Sequence, residues 1–188
     1  MLLSLTVGLT VVGSPATTAE GATPGFRAVT VKRIGVRIAF PDAWVVLDLT
    51  KPRKATVAQL AEARRNYPSL AGRLPEQPRA FVERYVKLFA VDPAAPEDYV
   101  SVQLQATDAL PPQRVLERLY QRTSRDAEIV SAKVDGRRGY EATTANSRQL
   151  WVVGNHGVLA LVFTTATTGD PRDVPALRTI MHSVQLLN

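Results

Sequence analysis

Cysteine is absent from this chain of 188 residues, and histidine occurs only twice. The lack of cysteine excludes disulfides, thiolate zinc sites, iron–sulfur clusters, cysteine nucleophiles and a lipidated cysteine. Aromatic residues make up 6% of the chain and charged residues 21%, beside a hydrophobic fraction of 45%. This balance is typical of a folded globular protein, and the length fits one domain.

Motifs of common catalytic chemistries are also missing. The sequence has no Gly-x-Ser-x-Gly elbow, no Ser-x-x-Lys pair and no glycine-rich phosphate loop. His156 falls in a predicted turn and His182 at a predicted helix end, where a structural role explains each. We therefore expect no enzyme activity, no cofactor and no metal site. The alternative is a hydrolase that pairs one of these imidazoles with a carboxylate.

Basic residues outnumber acidic ones and give a net charge of +6. They are scattered along the chain and form no dense tract of the kind that binds nucleic acid, so we expect no nucleic-acid partner. A solvated basic surface is one interpretation, and attraction to an anionic envelope polymer or lipid headgroup is the other. The candidate binding residues are Arg53, Lys54, Arg64, Arg65, Arg137 and Arg138.

The N-terminal segment has the pattern of an export signal. An apolar run over 2–12 is broken by Gly13-Ser14-Pro15 and followed by small residues suited to cleavage. The run is shorter than the roughly 20 apolar residues that span a bilayer. No Lys or Arg precedes it, so either the true start lies upstream of Met1 or the segment is a Thr/Ala-rich tail and not a signal. The predicted division is a signal peptide over 1–22, a linker over 23–28 and a single domain over 29–188.

Hydrophobic periodicity predicts strands and helices in mixed order. Thr56 is the predicted cap of a first helix over 56–66. Val115, Leu116, Leu119 and Tyr120 form the predicted buried stripe of a second helix, which opens at Pro111-Pro112, and a third follows Asp170-Pro171. The predicted strands cover 29–31, 36–40, 44–49, 99–105, 128–134, 139–144, 149–153, 158–165 and 183–187. This order predicts an α+β fold with an antiparallel sheet and helices on its faces.

The two tryptophans fall on predicted strands or their corners. Trp44 follows the corner Phe40-Pro41-Asp42-Ala43, and Trp151 lies in a strand. Core packing is the simplest role for both, because large aromatics supply much of the apolar area of a small sheet. The alternative is that Trp44 and Trp151 line a groove for a small apolar ligand between the sheet and the helices.

Several motifs carry a resemblance to a known family. Phe-Pro-x-x-Trp at 40–44 begins the domain, a strand over 100–104 follows, and the hairpin arm Gly-Arg-Arg-Gly-Tyr lies at 136–140. A turn at 155–157 precedes a helix that runs into the closing strand over 173–186. This succession resembles the PsbP-like α/β/α sandwich, and within that group the exported lipoproteins and secreted antigens of actinobacteria, the Lpq type.

The resemblance implies a fold and little chemistry. Members of the group share no catalytic residues and serve as assembly factors, adaptors or envelope proteins. This chain departs from the lipoproteins because it lacks the acylated cysteine, so we expect no stable membrane anchor after signal cleavage. The expected protein is a secreted or wall-associated, monomeric binding module for an unknown protein or anionic envelope polymer. The alternative is a carrier of a small apolar ligand.

Overall fold

The computed structural model describes residues 25–122, 127–165 and 170–188, so the predicted export signal lies outside the described residues. Among these, the helices are α1 (Arg53–Asn66), α2 (Arg79–Glu83), α3 (Gln113–Gln121) and α4 (Pro175–His182). The strands are β1 (Phe26–Val31), β2 (Val36–Pro41), β3 (Val45–Asp48), β4 (Val86–Val91), β5 (Tyr99–Gln105), β6 (Glu128–Val134), β7 (Arg137–Thr143), β8 (Ser147–Gly154), β9 (Gly157–Thr164) and β10 (Gln185–Leu186).

Seven strands form the central sheet in the order β3-β4-β5-β9-β8-β7-β6, and all neighbours are antiparallel. Tight turns join β6 to β7 and β8 to β9, as predicted. In the first of these, Asp135 and Gly136 both have positive φ, 49° and 75°. That is the conformation of a type I′ hairpin turn, whose twist matches that of the strands it connects.

A second, three-stranded sheet covers one face of the central sheet. Its order is β1-β2-β10, so β2 lies between the first strand described and the last. Apolar residues of β2 and α4 pack there against β4, β5 and β9, in a buried cluster that includes Phe40, Trp44, Leu161, Phe163 and Leu177. The alternation of apolar and polar residues in β2 gives this burial, since successive strand side chains point to opposite faces.

The other three helices lie on the opposite face. Leu60 and Ala63 of α1 pack with Phe81 of α2 against β3 and β4. Leu116 and Tyr120 of α3 pack against the β6–β9 half. The molecule is thus α+β, with an antiparallel central sheet and helices on both faces, which confirms the predicted class. The three-stranded sheet shares its face with α4.

Several predicted boundaries differ from those in the structure, beginning with β1 and α1. β1 begins at Phe26, within the predicted linker, because Arg27 donates to the carbonyls of Asp42 (2.6 Å) and Trp44 (2.8 Å) and holds the strand in place. Thr56 does not cap α1; Pro52 occupies the cap position, and Thr56 lies inside the first turn.

Further differences concern α3 and α4. Val115 and Leu119 are 47% and 53% exposed, so the buried stripe of α3 narrows to Leu116 and Tyr120. Asp170 caps a short 3₁₀ turn, accepting from the Arg172 amide at 2.9 Å, and α4 begins only at Pro175. Over the described residues, no helix is long and apolar enough to cross a membrane.

Candidate functional site

The strongest candidate site is a cavity of about 510 Å³ beside the first turn of α1, here called the α1 cavity. Its lining combines three cationic residues with an apolar wall and one hydroxyl. The lining residues are Leu49, Lys51, Arg53, Thr56, Pro78, Arg79, Phe81 and Val82. The volume is within the range of small-ligand sites, which runs from about 300 to 1,000 Å³.

Local hydrogen bonds fix the segment between β3 and α1 that forms one side of this cavity. The Leu49 amide donates to the Lys87 carbonyl at 2.9 Å, and the Thr50 amide donates to Asp48 Oδ1 at 2.9 Å. The buried Thr56 hydroxyl donates to the Lys51 carbonyl at 3.2 Å. Lys51 and Arg53 therefore project from a backbone that is held in one conformation, before and after Pro52.

Basic side chains predominate over acidic ones in the lining of the α1 cavity. Its lining contains Lys51, Arg53 and Arg79 and no Asp or Glu, and the first turn of α1 contains no acidic residue. The N-terminus of a helix carries a partial positive charge, which adds to the field of the side chains. Val82, 63% exposed, and the mostly buried Phe81 supply apolar surface next to these charges. The arrangement suits an anionic ligand that also has an apolar part.

The remaining predicted basic residues do not converge on this cavity. Lys54 is exposed one residue after Arg53, and Arg65 is exposed near the other end of α1. Arg64 is a structural residue: it donates to the Leu74 carbonyl at 2.6 Å and pairs with Glu76 at 3.5 Å.

The two arginines of β7 have different surroundings. Arg137 donates to Asn155 Oδ1 (3.1 Å) and Asn188 Oδ1 (2.9 Å) and so ties the β8–β9 turn to the end of the described chain. Arg138 is exposed and lines a separate cavity with Lys133. The predicted basic surface is therefore divided among several places on the molecule.

The structure does not bring the two tryptophans into one groove. Trp44 is buried with Phe40, their ring centroids 6.5 Å apart, in the cluster shared with the three-stranded sheet. Trp151 lies beneath α3, where its Nε1 donates to the Tyr120 hydroxyl at 3.0 Å, and that hydroxyl bonds to Gln149 Oε1. Burial raises the pKa of Tyr120 to about 12. Both tryptophans thus belong to the core.

The histidines lie apart from the α1 cavity. His156 occupies the turn between β8 and β9 and lines a different cavity with Lys32, Asn155 and Leu187, whose lining has no Asp or Glu. His182 is exposed at the last residue of α4. Within the described ranges, no group of three or more His, Asp or Glu side chains is placed to hold a metal ion.

Comparison with solved structures finds similar chains. The solution structure of cyanobacterial PsbP (CyanoP) from Synechocystis sp. PCC 6803 is similar to this chain with a TM-score of 0.51. The match covers 93% of this chain and 99% of that one, at 11% sequence identity. The fold is PsbP-like. No protein-family model matches the sequence, and no curated protein does.

On this PsbP-like fold, sequence reasoning found part of the α1 cavity and missed the rest. Arg53 was among the candidates, whereas Arg79, Phe81 and Val82 were not. The sequence alone could have identified Lys51, because it is basic and only two residues from Arg53. The sequence could not have identified Arg79, since it lies 26 positions from Arg53 and only the tertiary structure brings the two residues to one cavity.

Proposed function

We propose that this PsbP-like chain is an exported, non-enzymatic binding protein of the cell envelope, similar to Lpq-type secreted proteins. In this proposal the α1 cavity binds an anionic envelope component. One observation carries it: Lys51, Arg53 and Arg79 line a single cavity whose other walls are mostly apolar. The proposal treats the protein as a monomer without catalytic chemistry.

Charge and apolar surface have separate parts in this binding. Exposed cations attract an anion over about one Debye length, roughly 8 Å at physiological ionic strength, so that part weakens as salt rises. Apolar area removed from water contributes about 25 cal/mol per Å² and does not weaken with salt. Binding should therefore fall with salt to a plateau above zero.

The direct test uses co-sedimentation with cell-wall fractions from the source organism at low and high salt. Replacing Lys51 and Arg53 together by Gln should weaken binding at least tenfold at low salt and flatten the salt dependence. The matched control is Arg65→Gln with Arg118→Gln, which removes two exposed charges elsewhere and should leave binding within twofold of wild type. Equal losses in both variants, or none in either, would refute the assignment of binding to the α1 cavity.

A second candidate function is supported by the apolar wall of the same cavity. Leu49, Phe81 and Val82 could contact an acyl or aromatic ligand, which would make the protein a small-ligand carrier. Native mass spectrometry of protein purified from its own host separates the two functions. A bound mass that Val82→Asp removes would favour the carrier, and a bare chain would count against it.

Export is the remaining part of the proposal and rests on the apolar run over 2–12. The mature protein should be found in the culture supernatant or wall fraction, shortened by about 22 residues. An intact N-terminus on cytoplasmic protein would contradict export and with it the envelope as the source of the ligand.

A further inference from the structure

A second cavity, of about 560 Å³, lies at the β6–β7 hairpin, on the face of the central sheet that α3 covers. We call it the hairpin cavity. It is separate from the α1 cavity, and the two share no lining residue. The hairpin cavity is lined by Leu110, Ser131, Ala132, Lys133, Arg138, Gly139 and Tyr140.

The strand register places two cations side by side in this cavity. Lys133 of β6 pairs directly with Arg138 of β7, one pair away from the Asp135-Gly136 turn. In a two-residue hairpin the pair that adjoins the turn, here Val134 and Arg137, is hydrogen-bonded. Lys133 and Arg138 therefore form a non-hydrogen-bonded pair, in which the Cα atoms are closer, about 4.5 Å apart. Ser131 pairs with Tyr140 in the next position on the same face. Two cations and two hydroxyl groups thus form one compact patch.

The like-charge pair is unfavourable by itself. Like charges directly opposite in an antiparallel pair destabilise the sheet, where opposite charges would stabilise it. Over the described part of the chain, the side chains of Lys133 and Arg138 form no ion pair or hydrogen bond, and the cavity lining contains no Asp or Glu. The adjacent Arg137, by contrast, is held by two side-chain oxygens. A bound anion would supply the missing counter-charge.

We propose that the hairpin cavity binds a phosphate monoester of a small ring-bearing alcohol. Arg138 donates two parallel N–H groups to phosphate oxygens, a geometry suited to guanidinium, and Lys133 adds a point charge. The Ser131 hydroxyl donates to a third oxygen. The Tyr140 ring and Leu110, both partly buried, contact the organic part. This site goes beyond the proposed function, because it lies in a different cavity and takes a defined chemical group.

The test is an NMR titration of the ¹⁵N-labelled protein with inorganic phosphate and, separately, with phenyl phosphate. Both should shift the amide signals of Lys133, Arg138 and Tyr140, and phenyl phosphate should bind at least fivefold more tightly. Equal affinity for the two probes would overturn the assignment of the organic part to Tyr140 and Leu110. Shifts confined to Lys51 and Arg53, or no shifts at millimolar phosphate, would overturn the site.

Variants distinguish binding in the hairpin cavity from nonspecific attraction of phosphate to the basic surface. Arg138→Glu should abolish phosphate binding and also raise the unfolding midpoint, because it converts a like-charge pair into an ion pair. The control Arg65→Gln with Arg118→Gln should bind phenyl phosphate within twofold of wild type. The Lys51→Gln, Arg53→Gln variant should also bind it normally, so failure of this proposal is distinguishable from failure of the α1 cavity. Unchanged phosphate affinity in Arg138→Glu would refute the proposal.

Discussion

Arg148 is only 5% exposed, an uncommon state for an arginine, and its partners explain it. Its guanidinium donates to both carboxylate oxygens of Asp170, from Nε and Nη2 at 2.6 Å each, and it also pairs with Glu141. Arg172 donates to Asp170 as well, at 2.8 Å. The hydrogen bonds from Arg148 hold the pKa of Asp170 well below its usual range. A depressed carboxyl pKa means that the ionised side chain stabilises the folded state.

This pKa shift predicts how stability depends on pH. Asp170 contributes stability above its unfolded pKa of about 4, and the contribution is lost as pH falls toward the depressed folded value. Asp170→Asn should cost about 1.5–3 kcal/mol at pH 7, the range for hydrogen bonds to charged groups. The difference in the free energy of unfolding between wild type and Asp170→Asn should shrink as the pH is lowered from 5 to 2.

Urea denaturation at pH 7, 5 and 3 measures the effect of Asp170→Asn. Asp108→Asn is the matched control, since Asp108 is exposed in a loop. This variant should lower the free energy of unfolding by less than about 0.5 kcal/mol at any pH. A gap between wild type and Asp170→Asn that stays constant down to pH 3 would contradict the assigned role of Asp170.

At the scale of a single element, the contacts of α3 show what determines which of its residues are buried. Gln113 Nε2 donates to the Ile129 carbonyl of β6 at 3.1 Å, which orients that flank of the helix toward the sheet edge. At 100° per residue, Val115 and Leu119 then lie on the opposite flank of the helix and remain half exposed. Leu116 and Tyr120 are the residues of α3 that are buried against the sheet.

The orientation of α3 predicts a sharp contrast between two neighbouring leucines. Leu116→Ala should cost about 2–5 kcal/mol, because Leu116 is 2% exposed and its truncation leaves a cavity in the buried cluster that includes Trp151. Leu119→Ala should change stability by less than about 1 kcal/mol, since Leu119 is already half in water. Chemical denaturation of the two variants in parallel measures the difference, and similar losses would mean that α3 is rotated.

Sequence patterns identify elements better than they identify what an element faces. Alternation in Val100–Leu104 and the Asp135-Gly136 turn predict β5 and the β6–β7 hairpin, because strand period and turn geometry are local properties. The apolar pattern of α3 also predicts a helix. It overestimates the buried stripe, because the width of that stripe depends on the neighbouring elements and not on the helix alone.

The same limit applies to the α1 cavity and the hairpin cavity. Lys51 and Arg53 are neighbours in sequence, and so their joint position could be anticipated. Arg79 reaches them, and Lys133 meets Arg138, only through folding. A list of basic residues cannot show that Arg64 and Arg137 are engaged in structural hydrogen bonds while Arg138 is not.

At the scale of the whole molecule, the central sheet joins two apolar layers. Trp44 belongs to the layer formed with β2 and α4, and Trp151 belongs to the layer beneath α3. Strand β9 contributes to both, through Leu159, Leu161 and Phe163 on one face and Val158 and Ala160 on the other. If either layer unpacks, one face of β9 becomes exposed to water, and the other layer loses the strand against which it packs.

The two tryptophans therefore provide a test of cooperativity. Trp44→Phe and Trp151→Phe each leave a single fluorophore in one layer. In each variant the fluorescence midpoint in urea should coincide with the midpoint from circular dichroism, as a two-state transition requires. An earlier fluorescence transition for the Trp151 reporter would show that the α3 layer opens independently.

The placement of β2 between β1 and β10 has a mechanical consequence. Phe26, at the start of β1, pairs with Pro41, whereas Leu186, at the end of β10, pairs with Val36 at the other end of β2. A force that pulls Phe26 and Leu186 apart runs along the strands and across their hydrogen bonds. The bonds of both ladders are then loaded together and not opened one at a time, so the domain should resist stretching in shear, with β2 as the strand that bears the load.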